Sequence, residues 1–143
     1  MVKNPPEGYR TVSSYAVVED PDEVIAFVTG VLGGSVKERV EGPDGRVTHA
    51  ELIIGDSMVM VGGAGGENAP FPAMLHVYVD DVDDVYRAAI QAGATSIREP
   101  EDMFYGDRSG GVADSQGNQW WLSTHVEDVS PEEMARRAAA QGG

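Results

Sequence analysis

The chain has 143 residues, of which 41% are hydrophobic and 24% are charged, a composition typical of a globular protein with one core or two small packed halves. It contains no cysteine, which excludes disulfides, thiol nucleophiles and thiolate-bound metals. The formal net charge of −14 argues against a nucleic-acid partner, because the phosphate backbone would be repelled, and leaves a cationic ligand allowed.

The first ten residues predict a proline-containing leader without the apolar core of a signal peptide. No apolar run in the sequence approaches the ~20 residues that a membrane-spanning helix needs. We therefore expect a cytoplasmic protein that does not contact membranes.

Residues 11–61 show the pattern of one strand, one helix and three further strands, which we interpret as a first module. The β-branched run at 11–18 predicts the first strand. Asp20 or Asp22 can cap a helix that ends at the glycines 33 and 34. Turn residues at 42–45 and 55–56 then separate the remaining strands. These strands are predicted at about 35–40, 47–54 and 57–61.

The Gly-rich residues 62–72 predict a linker, because they lack the Lys-Ser/Thr ending and the following helix of a phosphate loop. Residues 73–125 then repeat the order of the first module. Alternation at 73–79 predicts a strand, and the aspartates from Asp80 to Asp84 cap a helix that stops at Gly93. Three strands follow at 95–98, 106–113 and 119–124. Residues 126–143 predict a capped helix and a tail.

Residues 114–118 predict the turn before the last strand, because Asp, Gly and Asn favour the required backbone angles. The two tryptophans of the chain are adjacent in that strand, so Trp120 and Trp121 must point to opposite faces. We expect Trp120 in the core and Trp121 on the other face.

The duplicated order predicts an α+β fold of two βαβββ modules that form a cup-shaped mixed sheet. Each module would cover one face of its strands with its own helix. The other faces would close around a cup.

This duplicated order, the stretch at 11–22 and the stretch from Phe104 through Gly117 to Trp121 together resemble the vicinal oxygen chelate superfamily, most closely its PhnB-like branch. That superfamily holds glyoxalases, extradiol dioxygenases and bleomycin resistance proteins. In its metal-using members, the resemblance implies one ligand from the first strand and one from the last strand of each module. The aligned positions fall on Ser13, on Met58 or Met60, on Met74 with His76 nearby, and on Trp121.

Serine, methionine and tryptophan do not supply the ligands that zinc, nickel or manganese require. We therefore predict that the protein has no metal cofactor. A displaced divalent site that combines His76 with His49 or Glu51 is the alternative, and it would make the protein a lyase, isomerase or dioxygenase of the same superfamily.

We expect binding rather than catalysis, because no nucleophile with an adjacent base stands out in the sequence. The expected ligand is a small, partly aromatic molecule, which the acidic charge allows to be cationic, held in the cup for resistance or sequestration, and the protein is expected to be a homodimer. Aromatic and thioether side chains suit such a ligand, and the alternative is that they fill the cup or a dimer interface. Arg108, held by Asp107, could frame the mouth, but a surface or structural ion pair is the favoured role for it. The residues predicted to line the site are Ser13, Tyr15, Met58, Met60, Met74, His76, Tyr78, Tyr105, Arg108, Trp121 and Ser123.

Overall fold

The structure of the protein, a computed structural model, describes residues 1–142, which contain eight strands and three helices. In chain order these are β1 (Ser14–Val18), α1 (Pro21–Val31), β2 (Ser35–Glu41), β3 (Val47–Ile54), β4 (Ser57–Gly63), β5 (Met74–Tyr78), α2 (Val82–Gln91), β6 (Thr95–Asp102), β7 (Asp107–Ala113), β8 (Gln119–His125) and α3 (Pro131–Gly142).

The strands form two four-stranded mixed sheets, ordered β1-β4-β3-β2 and β5-β8-β7-β6. In each sheet the first strand of the module pairs parallel with its last strand, and the other neighbours are antiparallel. The predicted α+β class with a duplicated βαβββ order is therefore confirmed.

The residues group into two compact units by their internal contacts. The first unit comprises Met1–Ala73 together with the turn Asp114–Asn118, and the second comprises Met74–Ala113 and the residues from Gln119 onward. The turn joins the first unit through the Asn118 side chain, whose amide oxygen accepts a hydrogen bond from the Ala73 backbone at 2.9 Å.

Helices α1 and α2 each begin at an aspartate that caps them. The Asp20 carboxylate accepts a hydrogen bond from the backbone N–H of Asp22 at the start of α1, and Asp81 accepts one from Asp84 at the start of α2. α1 packs on β2, β3 and β4, whereas α2 packs on β6, β7 and β8. One face of each sheet is thereby buried under its own helix.

Apolar side chains that alternate along the strands fill the layer between each helix and its sheet. In the second unit these are Val82 and Ala89 of α2 against Val112, Trp120 and Leu122. In the first unit they are Val24, Phe27 and Val28 of α1 with Ala16, Val18, Ala50, Leu52, Val59 and Val61. We call the opposite face of each sheet, which points away from its helix, the distal face.

Several predicted boundaries were wrong, each for a local reason. β1 begins at Ser14 rather than at residue 11, so Ser13 precedes the strand. β4 continues through Gly62 and Gly63, which pair with β1, so the Gly-rich linker is shorter than predicted. β6 continues past Arg98 to Asp102, because Pro100 lies where the pairing with β7 is irregular and no ladder N–H is required.

Across the described residues, no helix combines the length and the apolar character that crossing a membrane requires.

The two tryptophans allow a matched test of this core. Trp120 is fully buried, whereas Trp121 on the distal face is partly exposed. We predict that Trp120→Ala lowers the free energy of unfolding by about 3–5 kcal/mol, because the large cavity cannot collapse. Trp121→Ala is the control and should cost clearly less. Urea denaturation measures both, and equal losses would contradict the assignment of faces.

Candidate functional site

The distal face of the first sheet carries a chain of hydrogen-bonded polar side chains. Tyr15 of β1 and His49 of β3 lie 3.1 Å apart, from the phenol oxygen to Nδ1. His49 Nε2 lies 2.9 Å from a carboxylate oxygen of Glu51, two residues further along β3. Because the carboxylate can only accept, Nε2 is the nitrogen that donates to Glu51, which leaves Nδ1 to accept from the Tyr15 hydroxyl in the tautomer with one ring proton.

Tyr15 reaches His49 by crossing the strand that lies between them. β4 separates β1 from β3, and Gly62 of β4 lies under the tyrosine ring. A Cβ at residue 62 would lie 2.8 Å from the Tyr15 hydroxyl oxygen, so a larger residue would displace the phenol. The glycine therefore makes this cross-strand contact possible.

Glu51 is the buried end of this series of hydrogen-bonded side chains, with 5% of its surface exposed. The Tyr9 hydroxyl donates to it, and the Lys37 ammonium lies 3.9 Å away and also donates to Tyr9 at 3.2 Å. Burial acts to raise the pKa of Glu51, but the hydrogen bonds from His49 and Tyr9 outweigh it and hold the pKa below its ordinary value. The carboxylate is therefore charged at neutral pH.

On the distal face of the second sheet, a tyrosine also crosses one strand to reach a polar side chain, but with different partners. Tyr78 of β5 crosses β8 beside Ser123 and donates its hydroxyl to Asp107 of β7 at 2.9 Å. The small Ser123 is fully buried, and within residues 1–142 its hydroxyl has no hydrogen-bond partner. Asp107 is 4% exposed, so this sheet also buries a carboxylate beneath a tyrosine.

His125, at the end of β8, contacts the carboxylate oxygen of Asp107 that Tyr78 does not. Its Nδ1 lies 2.8 Å from Asp107 and its Nε2 lies 2.7 Å from Asp128. The hydrogen bond to Asp107 and then that to Asp128 raise the pKa of His125 above its ordinary value. The hydrogen bond to Asp107 likewise raises the pKa of Tyr78, so its phenol stays neutral.

Trp121 lies on the same distal face, over a glycine. A Cβ at Gly111 would lie 2.8 Å from the indole ring. The Arg98 guanidinium stands 5.1 Å from the ring centroid, within cation–π range, and also donates to the Ser109 carbonyl at 3.1 Å. Trp121 is thus held from two sides and partly exposed.

The structure brings some of the predicted site residues together and not others. Tyr78, Trp121 and Ser123 share the distal face of the second sheet with Met74 and His76, whose ring lies 5.1 Å from that of Tyr78. Met58 and Met60 lie on β4 of the first sheet, where Met60 is level with Tyr15. Tyr105 lies in the turn before β7 and packs edge-on against Phe104.

The predicted contact between Asp107 and Arg108 was wrong. The two residues are adjacent in β7 and therefore point to opposite faces. Arg108 forms a two-pronged ion pair with Asp83 of α2, at 2.9 and 3.1 Å, and a further contact with Asp102 at 3.3 Å. Arg108 is thus bound to the helix side, and Asp107 serves the distal face.

Three residues that contact the polar and aromatic side chains of the distal faces were not predicted from the sequence, namely Tyr9, Lys37 and Arg98. Tyr9 contacts Glu51 across 42 residues of sequence, and Lys37 lies at an irregularity in the pairing of β2 with β3. Alternation along β7 did contain the signal for Asp107, whose side chain must share a face with Ser109 and Gly111.

The side chains at the metal-ligand positions that the resemblance implied do not fit a divalent metal. The side chains there, Ser13, Met58 or Met60, Met74 and Trp121, offer a hydroxyl, thioethers and an indole. Glu51 and His49 are bound to each other, and both ring nitrogens of His49 are engaged. No group of three or more His, Asp or Glu side chains in residues 1–142 is arranged to hold a metal ion.

Comparisons with known proteins agree with this architecture. A model of the Glyoxalase/Bleomycin resistance protein/Dioxygenase superfamily matches residues 11–122. An uncharacterized protein of Mycobacterium bovis is 34% identical over 142 residues, which covers 92% of this chain and 93% of that protein.

Solved structures of similar fold include TioX from Micromonospora sp. ML1, with a TM-score of 0.67 and 26% identity over 82% of this chain and 100% of that chain. A PhnB protein from Bacillus cereus has a TM-score of 0.67 and 16% identity over 80% of this chain and 99% of that chain. At that identity, the second likeness concerns the fold alone.

The contacts of His125 with Asp107 and Asp128 make the stability of the folded protein depend on pH. Because its folded pKa is raised, the contribution of His125 is fully present below an unfolded pKa of about 6.5 and is lost as the pH rises through the folded value. We expect the urea midpoint of the wild type to fall across that window relative to His125→Gln. Parallel pH curves for the two proteins would contradict the contact.

Proposed function

The chain belongs to the Glyoxalase/Bleomycin resistance protein/Dioxygenase superfamily, and on that premise we propose that it binds a small, partly aromatic molecule on the distal face of its second sheet, without a metal ion. The observation that carries the proposal is the chemistry of that face. It presents aromatic and thioether side chains at the positions where metal-using relatives would need His, Asp or Glu.

The exposed side chains of this face suit a flat ligand. Met74 is 70% exposed and Tyr78 is 64% exposed, which is unusual for large apolar groups of a sheet. Trp121, held over Gly111 by Arg98, offers part of its ring nearby. Aromatic rings and a thioether together bind planar molecules by stacking and adaptable packing.

The hydrogen bonding of Tyr78 favours a ligand that donates. Its proton is committed to the Asp107 carboxylate, so the phenol oxygen has acceptor capacity alone for a bound molecule. Asp107, His125 and Asp128 together carry one net negative charge when His125 is protonated. We therefore propose that the ligand carries an N–H donor with a positive charge, in a sequestration or resistance role.

The metal-dependent alternative gains no support from a specific observation. His49 and Glu51 of the first sheet form a closed pair, and His76 faces Tyr78 on the second sheet. The absence of a metal cofactor therefore remains part of the proposal.

Fluorescence titration tests the proposed site. Three probes are used. A cationic acridine dye and the anionic naphthoate are both flat and aromatic but differ in charge, and bleomycin is the third. We expect the dye to change the fluorescence of Trp121, and Tyr78→Phe to weaken the dye about tenfold, since a hydrogen bond to a charged group is lost. Tyr86→Phe, which removes an exposed hydroxyl of α2 bonded to Ser96, is the control.

Two results would contradict the proposal. One is unchanged fluorescence across all three probes. The other is a bound metal that binding requires. In that case protein purified without a chelator would contain stoichiometric zinc, nickel, manganese or iron, and dialysis against a chelator would abolish dye binding.

We also propose that the protein is a homodimer. β2 is an edge strand of the first sheet, and its Val36 and Val40 are 43% and 40% exposed, which favours coverage of this edge by a second copy. Sedimentation velocity should give the mass of two chains, and Val40→Glu on β2 should shift the protein toward one. Val126→Glu, at a site 56% exposed, is the control. A mass of one chain for the wild type at micromolar concentration would contradict the dimer.

A further inference from the structure

We propose that the distal face of the first sheet is a metal-independent proton-transfer site in which Tyr15 is the catalytic residue and His49 its proton acceptor. This activity goes beyond ligand binding and lies on the other sheet. Its substrate class is a small, largely apolar molecule with an acidified C–H bond.

The geometry is that of an activated hydroxyl with an oriented base. The Tyr15 hydroxyl lies 3.1 Å from Nδ1 of His49, and Nε2 lies 2.9 Å from Glu51. Catalytic hydroxyl groups are recognised by a base within hydrogen-bond reach, which a third group in turn orients. All three members of that pattern are present here.

Glu51, the buried end of the hydrogen-bonded relay from Tyr15 through His49, is held by more than one donor. Glu51 is almost fully buried, and it also receives the Tyr9 hydroxyl beside the Lys37 ammonium. A buried carboxylate is costly unless its hydrogen bonds are made. Tyr9, Lys37 and Glu51 are thus positioning residues that fix which nitrogen of His49 carries the proton.

The exposed end of the relay is the phenol. Tyr15 is 47% exposed, so a small molecule can reach its oxygen. Its surroundings are apolar, since Met60 lies level with it on β4, and Phe71, which is 74% exposed, pairs by its backbone with Val17 of β1. Such surroundings suit a carbon acid better than a charged substrate.

The proposed step balances without any further reactant. The Tyr15 oxygen takes the proton of the substrate carbon while the tyrosine hydroxyl proton passes to Nδ1 of His49. The resulting imidazolium is paired with Glu51. His49 then releases its proton to water, and the substrate keeps the electron pair of the broken C–H bond.

Nitrobenzisoxazole is a probe that reports this step directly. Removal of its ring C–H proton breaks the N–O bond and releases a coloured cyanonitrophenolate. We expect Tyr15→Phe to lower the rate by about tenfold or more, since general base catalysis typically contributes at least a hundredfold. Tyr86→Phe should leave the rate unchanged. Equal rates for the wild type and Tyr15→Phe would overturn the proposal.

A second pair of variants moves the phenol without removing it. Gly62→Ala would push the Tyr15 oxygen off its place, whereas Gly30→Ala in α1 meets no atom within 4 Å. We expect the first to lower the rate toward that of Tyr15→Phe and the second to leave it unchanged. Full activity in folded Gly62→Ala would argue against the relay.

The role of Glu51 is tested by nitrogen NMR of the histidine rings. The wild type should show His49 protonated at Nε2 with Nδ1 accepting a hydrogen bond, and Tyr15→Phe should shift the Nδ1 signal. Glu51→Gln should abolish the tautomer preference and lower the rate. A wild-type His49 protonated at Nδ1 would overturn the assignment of roles.

Discussion

The parallel pairing of the first and last strands of each module is the constraint on which both distal faces depend. It places β4 between β1 and β3, and β8 between β5 and β7. A side chain on the first strand can therefore reach the third strand only by passing over the last one. Tyr15 and Tyr78 both do so, and the residues beneath them, Gly62 and Ser123, are small.

The crossing tyrosines are tied to buried carboxylates. Glu51 and Asp107 each receive a hydrogen bond from a histidine and from a tyrosine, so neither charge is left unpaired. Loss of one partner would leave a desolvated charge with fewer donors, which costs more than an ordinary hydrogen bond contributes. The exposed phenols are thus positioned by groups that cannot easily rearrange.

The sequence allowed the architecture to be predicted because its signals are local. Caps such as Asp20 and the turn at 114–118 act within a few residues, and alternation separated Trp120 from Trp121. The contacts that build the sites span long stretches of chain, as Tyr9 does to reach Glu51. They depend on strand order and register, which the pattern of hydrophobic residues does not specify.

Asp107 shows where the available signal was misread. As neighbours in a strand, Asp107 and Arg108 cannot lie side by side, yet their opposite charges suggested an ion pair. The pleat assigns Arg108 to Asp83 of α2 and leaves Asp107 for Tyr78 and His125. Charge attraction between adjacent residues is a weaker guide than strand alternation.

The two distal faces differ in chemistry because their histidines meet different numbers of carboxylates. His125 lies between two, which raises its pKa, and the neighbouring Tyr78 hydroxyl donates to Asp107 and keeps acceptor capacity for a bound molecule. His49 meets one carboxylate and one phenol, so a ring that donates from Nε2 to Glu51 directs its Nδ1 at the Tyr15 hydroxyl. The first arrangement suits recognition of a donor, and the second suits transfer of a proton. A duplicated module can in this way hold two different chemistries on the same cross-strand scaffold.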